Sequence, residues 1–300
     1  MKYLIKLFYI SIIDALIIKN IKILYWLFLA ILHIKKIKTV INAIELESAQ
    51  HRVALIKTII LNFNSLPRQI AWKFPIHVYT NTKIISTSGT IDIIDAIPYF
   101  GMIKWGWNHS FRSQGKTKIQ NRGKIIFGGE EKIIAGSEIV VFPNAELKIG
   151  SNCFIGENVL IYCTNAIELG TCVRISYQSD ISDSDFHYCL DIHSGLVCPK
   201  NKSVTIGDYN WIGNRTTIKK GTQTPHHVIV ASAGAVLSKN YINTAEPFSI
   251  LGGCPAKVIK TGMSRIWHNE REMMKIIDQQ MNPETCYRIP ENKISTLIKL

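Results

Sequence analysis

Charge is scarce in this 300-residue chain, and acidic charge scarcest: Asp, Glu, Lys and Arg make up 19% of it, and 22 acids face 35 bases. With 47% hydrophobic residues the composition excludes a disordered chain. A long apolar run is also missing. The longest uncharged stretch of the N-terminus, Ile23 to Ile34, falls short of the roughly 20 residues a bilayer span needs, and no small-residue cleavage site marks a secretory signal. Cysteine pairing signals are absent too. Cys153, Cys163, Cys172, Cys189, Cys198, Cys254 and Cys286 are odd in number and contain no C-x-x-C, which argues against a disulfide framework and for free thiols in a reducing cytoplasm.

What is present is a formal charge of +13, which attracts phosphate carried by nucleic acid, anionic lipid, a nucleotide or a lipid pyrophosphate. The basic residues are spread thinly and form no helix-turn-helix, zinc-finger or RNA-recognition pattern, so a nucleic-acid partner is not expected. Up to Lys36, six of seven charged residues are lysines, and Tyr25 and Trp26 sit beside the apolar run. That mixture suits a helix lying in a membrane interface, and packing on the protein or a sister subunit is the alternative. The expectation is an apolar, basic, helical region over 1–80, with peripheral membrane contact through residues 1–60 at the cytoplasmic face.

From Ile149 an aliphatic residue followed by a small one recurs every six residues: Ile149-Gly150, Ile155-Gly156, then Leu169-Gly170, Ile175-Ser176 and Ile181-Ser182. The frame resumes at Ile206-Gly207, Ile212-Gly213 and Ile218, blurs near Pro225 and returns between Val230 and Leu237. A period of six is neither that of a helix nor of an alternating strand. It predicts a hexapeptide solenoid, three hexads to a triangular coil, with the aliphatic residue inside and the small residue allowing the corner turn. Lys83–Asp95, Lys118–Phe127 and Glu131–Phe142 read as irregular early coils. The β-helix is expected over 81–262. A helix over Ser264–Gln280, capped by Ser264 and ended by Pro283, is expected within a C-terminal segment 263–300.

Four blocks carry a resemblance. They are Leu169-Gly-Thr-Cys-Val-Arg-Ile-Ser, the D-x-D-x-H element Asp183-Ser184-Asp185-Phe186-His187, Ile206-Gly-Asp-Tyr-Asn-Trp-Ile-Gly213, and Gly252-Gly-Cys-Pro-Ala-Lys-Val-Ile-Lys260. In these blocks and their order the chain resembles the hexapeptide-repeat acetyltransferases, in the branch that O-acetylates bacterial surface polysaccharides and their precursors. The resemblance implies a left-handed parallel β-helix and a homotrimer with sites between neighbouring β-helices. It further implies an acetyl-CoA donor, no metal, a carbohydrate acceptor, and a histidine base that matches His187. Two departures stand out: Thr224-Pro225-His226-His227 replaces a regular hexad with one extra residue, and Cys254 stands where Asn is usual.

The chemistry of the residues points the same way. Removing a hydroxyl proton during acyl transfer needs a base of near-neutral pKa, which imidazole supplies. A carboxylate could orient the ring; Asp183 and Asp185 are both candidates, Asp183 being favoured. The hexad breaks after His187 for a loop that contains His193, a candidate for sugar contact. Trp211 could wall a pantetheine groove along Gly213, Ser232, Ala233 and Gly234, with Lys239 and Lys257 meeting nucleotide phosphates. A backbone N–H near Gly213 or Ala233 would stabilise the oxyanion. Competing readings are N-acyl transfer to an amino-sugar nucleotide, a non-catalytic scaffold, and a zinc lyase. The lyase needs three converging histidines, which the spacing of His187, His193, His226 and His227 does not supply.

Overall fold

Aliphatic side chains of successive turns stack in register, and that stacking defines the architecture. The computed structural model describes residues 52–108, 115–281 and 286–298. The first coil comprises β1 (Ile76–Val78), β2 (Thr82–Thr87) and β3 (Thr90–Ile93); the second β4 (Ile103–Trp107), β5 (Thr117–Asn121) and β6 (Lys124–Phe127). The third holds β7 (Glu131–Ile134), β8 (Glu138–Val141) and β9 (Glu146–Ile149), and the fourth β10 (Cys153–Ile155), β11 (Leu160–Cys163) and β12 (Ala166–Leu169). The fifth is β13 (Arg174–Ile175), β14 (Asp180–Ser182) and β15 (Val204–Ile206). The sixth is β16 (Trp211–Ile212), β17 (Thr217–Ile218) and β18 (Gln223–Thr224). An incomplete turn of β19 (Ile229–Val230) and β20 (Val236–Leu237) precedes β21 (Ile250–Gly252) and β22 (Lys257–Lys260).

As far as β20 every third strand falls in the same sheet, so three parallel sheets form the faces of a β-helix, and β21 and β22 extend the first of them. In the first sheet Trp105, Ile133, Ile155, Ile175, Ile212, Val230 and Leu251 are register partners from coil to coil. Ile119, Ile139, Ile161, Ile181, Ile218 and Leu237 do the same in the second. All of these side chains are buried. No coil closes its own core; burial comes from stacking, as in other solenoids. The coils before Ile149 are as well paired as those after it, β6 and β9 matching over four residues, and β1 starts the solenoid ahead of residue 81.

The small residue of the hexad has a different task from the one expected. Gly150, Gly156, Gly170, Gly207 and Gly213 do not adopt the left-handed conformation. Each instead faces the next coil so closely that a Cβ on Gly150 would lie 2.5 Å from the Gly170 carbonyl carbon. The left-handed residues come two positions later, as Asn152, Cys172 and Tyr209 at one corner and Asn158 at another.

The stack is closed at both ends. Helix α1 (Leu55–Ser65) lies along the free edge of β1. There Asn62 accepts from the Ile76 N–H and donates to its carbonyl, and the Thr58 hydroxyl accepts from the Val78 N–H at 3.0 Å. Edge groups that would otherwise invite another strand are thereby paired. A single turn, α2 (Arg68–Ala71), leads from α1 into β1. At the other end Tyr241 is buried, its hydroxyl donates to the Ala256 carbonyl, and β22 folds back antiparallel on β21.

The C-terminal helix is shorter than expected. Helix α3 (Glu270–Gln280) starts after Asn269, and Ser264 does not cap it; the Ser264 hydroxyl donates to the Arg265 carbonyl instead. Arg265 lies 5.3 Å from the Trp211 ring and 5.1 Å from the Trp267 ring, and pairs with Glu270 through two bonds. These contacts hold the preceding residues against the first sheet. A further helix, α4 (Glu291–Ile298), was not anticipated. Residues 1–51 and Pro283, and with them most of the N-terminal helical expectation, lie outside the described residues.

Candidate functional site

The corner after β14 is where the solenoid opens. Ser182 ends the strand and its hydroxyl donates to the Ser184 carbonyl, turning the chain outward. Ser184 then bridges to Asn201, the side chains meeting at 2.6 Å, and the Lys202 N–H donates to the Asp183 carbonyl. The return strand is held from the next coil: Lys220 pairs with Asp185 at 2.8 Å and donates to the Pro199 carbonyl at 2.7 Å. Phe186, left-handed at φ 60°, packs between Phe142 and Tyr162, with both ring centroids 6.1 Å away. His187 follows on this clamped base. Its side chain is exposed, and its N–H donates to the Asp185 carbonyl at 2.7 Å.

Beyond His187 the loop is a short antiparallel hairpin centred on the Leu190–Val197 bridge. Asp191 caps its tip, accepting from the His193 N–H and the Ser194 hydroxyl, and these bonds hold its carboxyl below the usual carboxylate range. His193 is at this tip and exposed. Tyr188, Leu190, Ile192 and Leu196 are exposed as well, Ile192 to 81%.

Neither aspartate partners the His187 ring. Asp183 is fully buried and turned into the coil behind it. Its Oδ1 accepts from the Thr164 N–H and hydroxyl, both at 2.8 Å, and its Oδ2 from the Asn165 N–H at 2.7 Å. That carboxylate closes the corner between β11 and β12, and no bond joins it to the His187 ring among the described residues. Asp185 spends its carboxylate on Lys220. The clamp formed by Ser184, Asn201 and Lys220 was missed, because Asn201 returns to Ser184 across the loop and Lys220 arrives only when coil six stacks on coil five.

The residues expected to line the donor groove divide between corners. Trp211, 37% exposed, is on the first sheet, and its indole N–H donates to the Ser176 hydroxyl at 3.3 Å. Gly213, Ser232, Ala233 and Gly234 meet at the corner between the first and second sheets, and the last three are exposed. The expected oxyanion donors are already used: the Gly213 N–H bonds the Val230 carbonyl and the Ala233 N–H the Asn214 carbonyl. Lys239 follows β20 and lies 5.3 Å from the Tyr241 ring, and Lys257 is exposed on β22. His187 leaves the corner between the second and third sheets, so a single chain does not gather it with Trp211 and Gly213.

Among the described residues no helix is long and apolar enough to cross a membrane, and no group of three or more His, Cys, Asp or Glu could hold a metal ion. His226 and His227 belong to an aromatic stack at the third-to-first corner, where His227 lies between Tyr209 and Phe248 at 4.8 and 4.7 Å.

No protein-family model matches the chain. Among solved structures it is similar to the polysialic acid O-acetyltransferase OatWY, at 21% identity over 69% of this chain and 98% of that one, with a TM-score of 0.40. It is similar also to the N-acyltransferase AntD from Bacillus cereus, in complex with dTDP and 3-hydroxybutyryl-CoA, at 14% identity over 68% and 85% and a TM-score of 0.36. A maltose O-acetyltransferase from Clostridium difficile 630 shares 19% identity over 70% and 84%, with a TM-score of 0.34. By its own strand pairing, this chain is a three-sided parallel β-helix whose longest excursion carries His187.

Proposed function

We propose that this protein is an acetyl-CoA-dependent O-acetyltransferase acting on a sugar hydroxyl of a bacterial surface polysaccharide or its lipid-linked precursor, with His187 as general base. The observation that carries the reading is the placement of His187: an exposed imidazole on a loop clamped at its base, where a rigid solenoid opens. The four sequence blocks that resemble the hexapeptide acetyltransferases support it. With both aspartates engaged elsewhere, the His187 ring works without a carboxylate partner from its own loop.

The separation of His187 from Trp211 and Gly213 within one chain supports a site completed by a neighbouring copy, as in a homotrimer. The exposed apolar side chains of the hairpin supply surface for that contact. Acetyl-CoA as donor substrate would run past Trp211 and the exposed corner at Ser232, Ala233 and Gly234, with Lys239 and Lys257 toward its phosphates. The Ser232 N–H, which donates to no group among the described residues, is the amide available there for an oxyanion.

The test is thiol release from acetyl-CoA in the presence of saccharide acceptors offering hydroxyl or amino groups, with mass spectrometry of the product. Acetylation of a hydroxyl that requires His187 supports the reading. Transfer to an amine alone replaces it with N-acyl transfer, and no transfer to any acceptor leaves a scaffold. Membrane contact through the N-terminus is a separate proposal. Because α1 caps β1, its proper test is flotation with vesicles of the full chain against a chain starting at residue 52. Equal partitioning rejects it.

A further inference from the structure

We propose that the first sheet carries a binding site for an oxyanion, the carboxylate or phosphate of a sugar ligand, set apart from the His187 loop. Between coils two and five this face holds a cavity of 280 Å³ whose wall includes Lys104, Lys132, Arg174, Asn152 and Glu131. Arg174 and Phe154 are shared with an adjoining cavity of 260 Å³ that reaches Trp211 and Arg265.

Glu131 is the unusual member. It is 2% exposed, its Oε2 accepts from the Cys153 N–H at 3.0 Å, and its Oε1 is buried with no hydrogen-bond partner. Burial pushes this carboxyl well above the usual carboxylate range, against the opposing pull of the Cys153 N–H and Arg174. That direction moves the carboxyl toward its protonated form, in which Oε1 would be a donor with no acceptor among the described residues. The same cavity wall holds Arg174, whose guanidinium donates to the Asn152 carbonyl, and Lys104 and Lys132, whose ammonium groups lie 5.8 and 5.7 Å from the Trp107 ring. Opposing charge comes from Glu130, which accepts from the Tyr99 hydroxyl.

Lys104, Lys132 and Arg174 line one cavity with the unpartnered Glu131 Oε1, so an oxyanion there would offset the cations and accept from Oε1 in its protonated form. A metal ion would meet three like charges. Nucleophilic chemistry is excluded as well, because the neighbouring Cys153 thiol donates to the Gly170 carbonyl and burial pushes its pKa up. Phe154 lines the cavity beside these groups.

The site is read by binding alone, so its failure and the failure of acyl transfer are distinguishable. The experiment is calorimetric titration of the full chain at low salt with glucuronate, glucose and inorganic phosphate, repeated on Lys132→Ser, Glu131→Gln, Glu131→Leu and His187→Ala. Expected are binding of glucuronate or phosphate but not glucose, and roughly tenfold weaker binding in Lys132→Ser. Glu131→Gln, whose amide still donates, should retain affinity that Glu131→Leu loses, and His187→Ala should bind as the parent does. The tighter of the two anions identifies carboxylate or phosphate as the group recognised. Equal response to glucose and glucuronate, no anion binding, or an unchanged affinity in Lys132→Ser overturns the proposal.

Discussion

Asp183 accepts both the main-chain N–H and the hydroxyl of Thr164, each at 2.8 Å, across a gap of nineteen residues and one coil. A residue that reads as part of a catalytic motif is thus a bolt between coils four and five. Asp183→Asn keeps the size but presents an amide N–H₂ to groups that are themselves donors. The expected loss is about 1–3 kcal/mol of stability, seen as a lower melting temperature. Unchanged melting with lost turnover would return Asp183 to the catalytic machinery.

His187 stands in contrast, since its side chain is exposed and supports no packing. His187→Ala should melt with the parent protein and lower turnover by roughly 10²- to 10⁴-fold. Stopped assays of thiol release, run beside thermal melts, check both halves. Turnover near that of the parent rules out the general-base role.

Gly150 tests the packing of the coils. A Cβ there would lie 2.5 Å from the Gly170 carbonyl carbon and 2.6 Å from the Thr171 nitrogen, both backbone atoms that cannot swing away. Gly150→Ala should cost roughly 1–3 kcal/mol, the range for overpacking. Gly195→Ala is the comparison: its φ is +70° but nothing lies within 4 Å, so only local backbone strain at the hairpin tip is expected. Denaturant unfolding of the two variants gives the ranking, and an equal cost would contradict the close-approach account.

Glu131 makes stability depend on pH. Its carboxyl is raised in the folded protein above the ordinary value of 4.5, so on folding it must hold a proton that the unfolded chain releases. Below pH 4.5 both states are protonated and the group is neutral in effect. As pH rises from there the native state binds more protons than the unfolded one, and stability falls until the folded carboxyl itself titrates. Glu131→Gln removes that dependence. Its melting temperature relative to the parent should increase from acid toward neutral pH, and a flat difference would refute the assignment.

Cys189 and Cys198 test the hairpin register. Both are exposed, and extending the Leu190–Val197 pairing by one step places them opposite each other. Opposed antiparallel residues have Cα separations of about 4.5–5.5 Å, within the range a disulfide spans. Treatment with an oxidised small-molecule disulfide should therefore join these two by thiol–disulfide exchange, detected by peptide mapping. Failure to join them under conditions that modify both thiols singly would mean that the register is different.

Much of the architecture was legible because it is written locally. Ile149 and Ile155, Ile175 and Ile181, and Ile206, Ile212 and Ile218 recur at six-residue steps that only a coil with short sides can bury, and each is buried. The interruption after His187 was legible for the same reason. The early coils were obscured by unequal connections, such as the stretch between β4 and β5, although Ile119, Ile125, Ile133 and Ile139 stack like the later residues.

By itself, then, the sequence determined the repeat, the inward face of each strand, and the point where the solenoid opens, since all three follow from the alternation of side chains along a few residues. Only the tertiary structure decided that Asp183 serves Thr164, that Lys220 holds Asp185, that Asn62 seals the edge of β1, and that Glu131 lies buried in the wall of a cavity lined by three cations. Apart from Lys132, those partners lie fourteen or more residues away. Which of them meet depends on the length of every intervening connection, and no spacing within a single hexad encodes that sum.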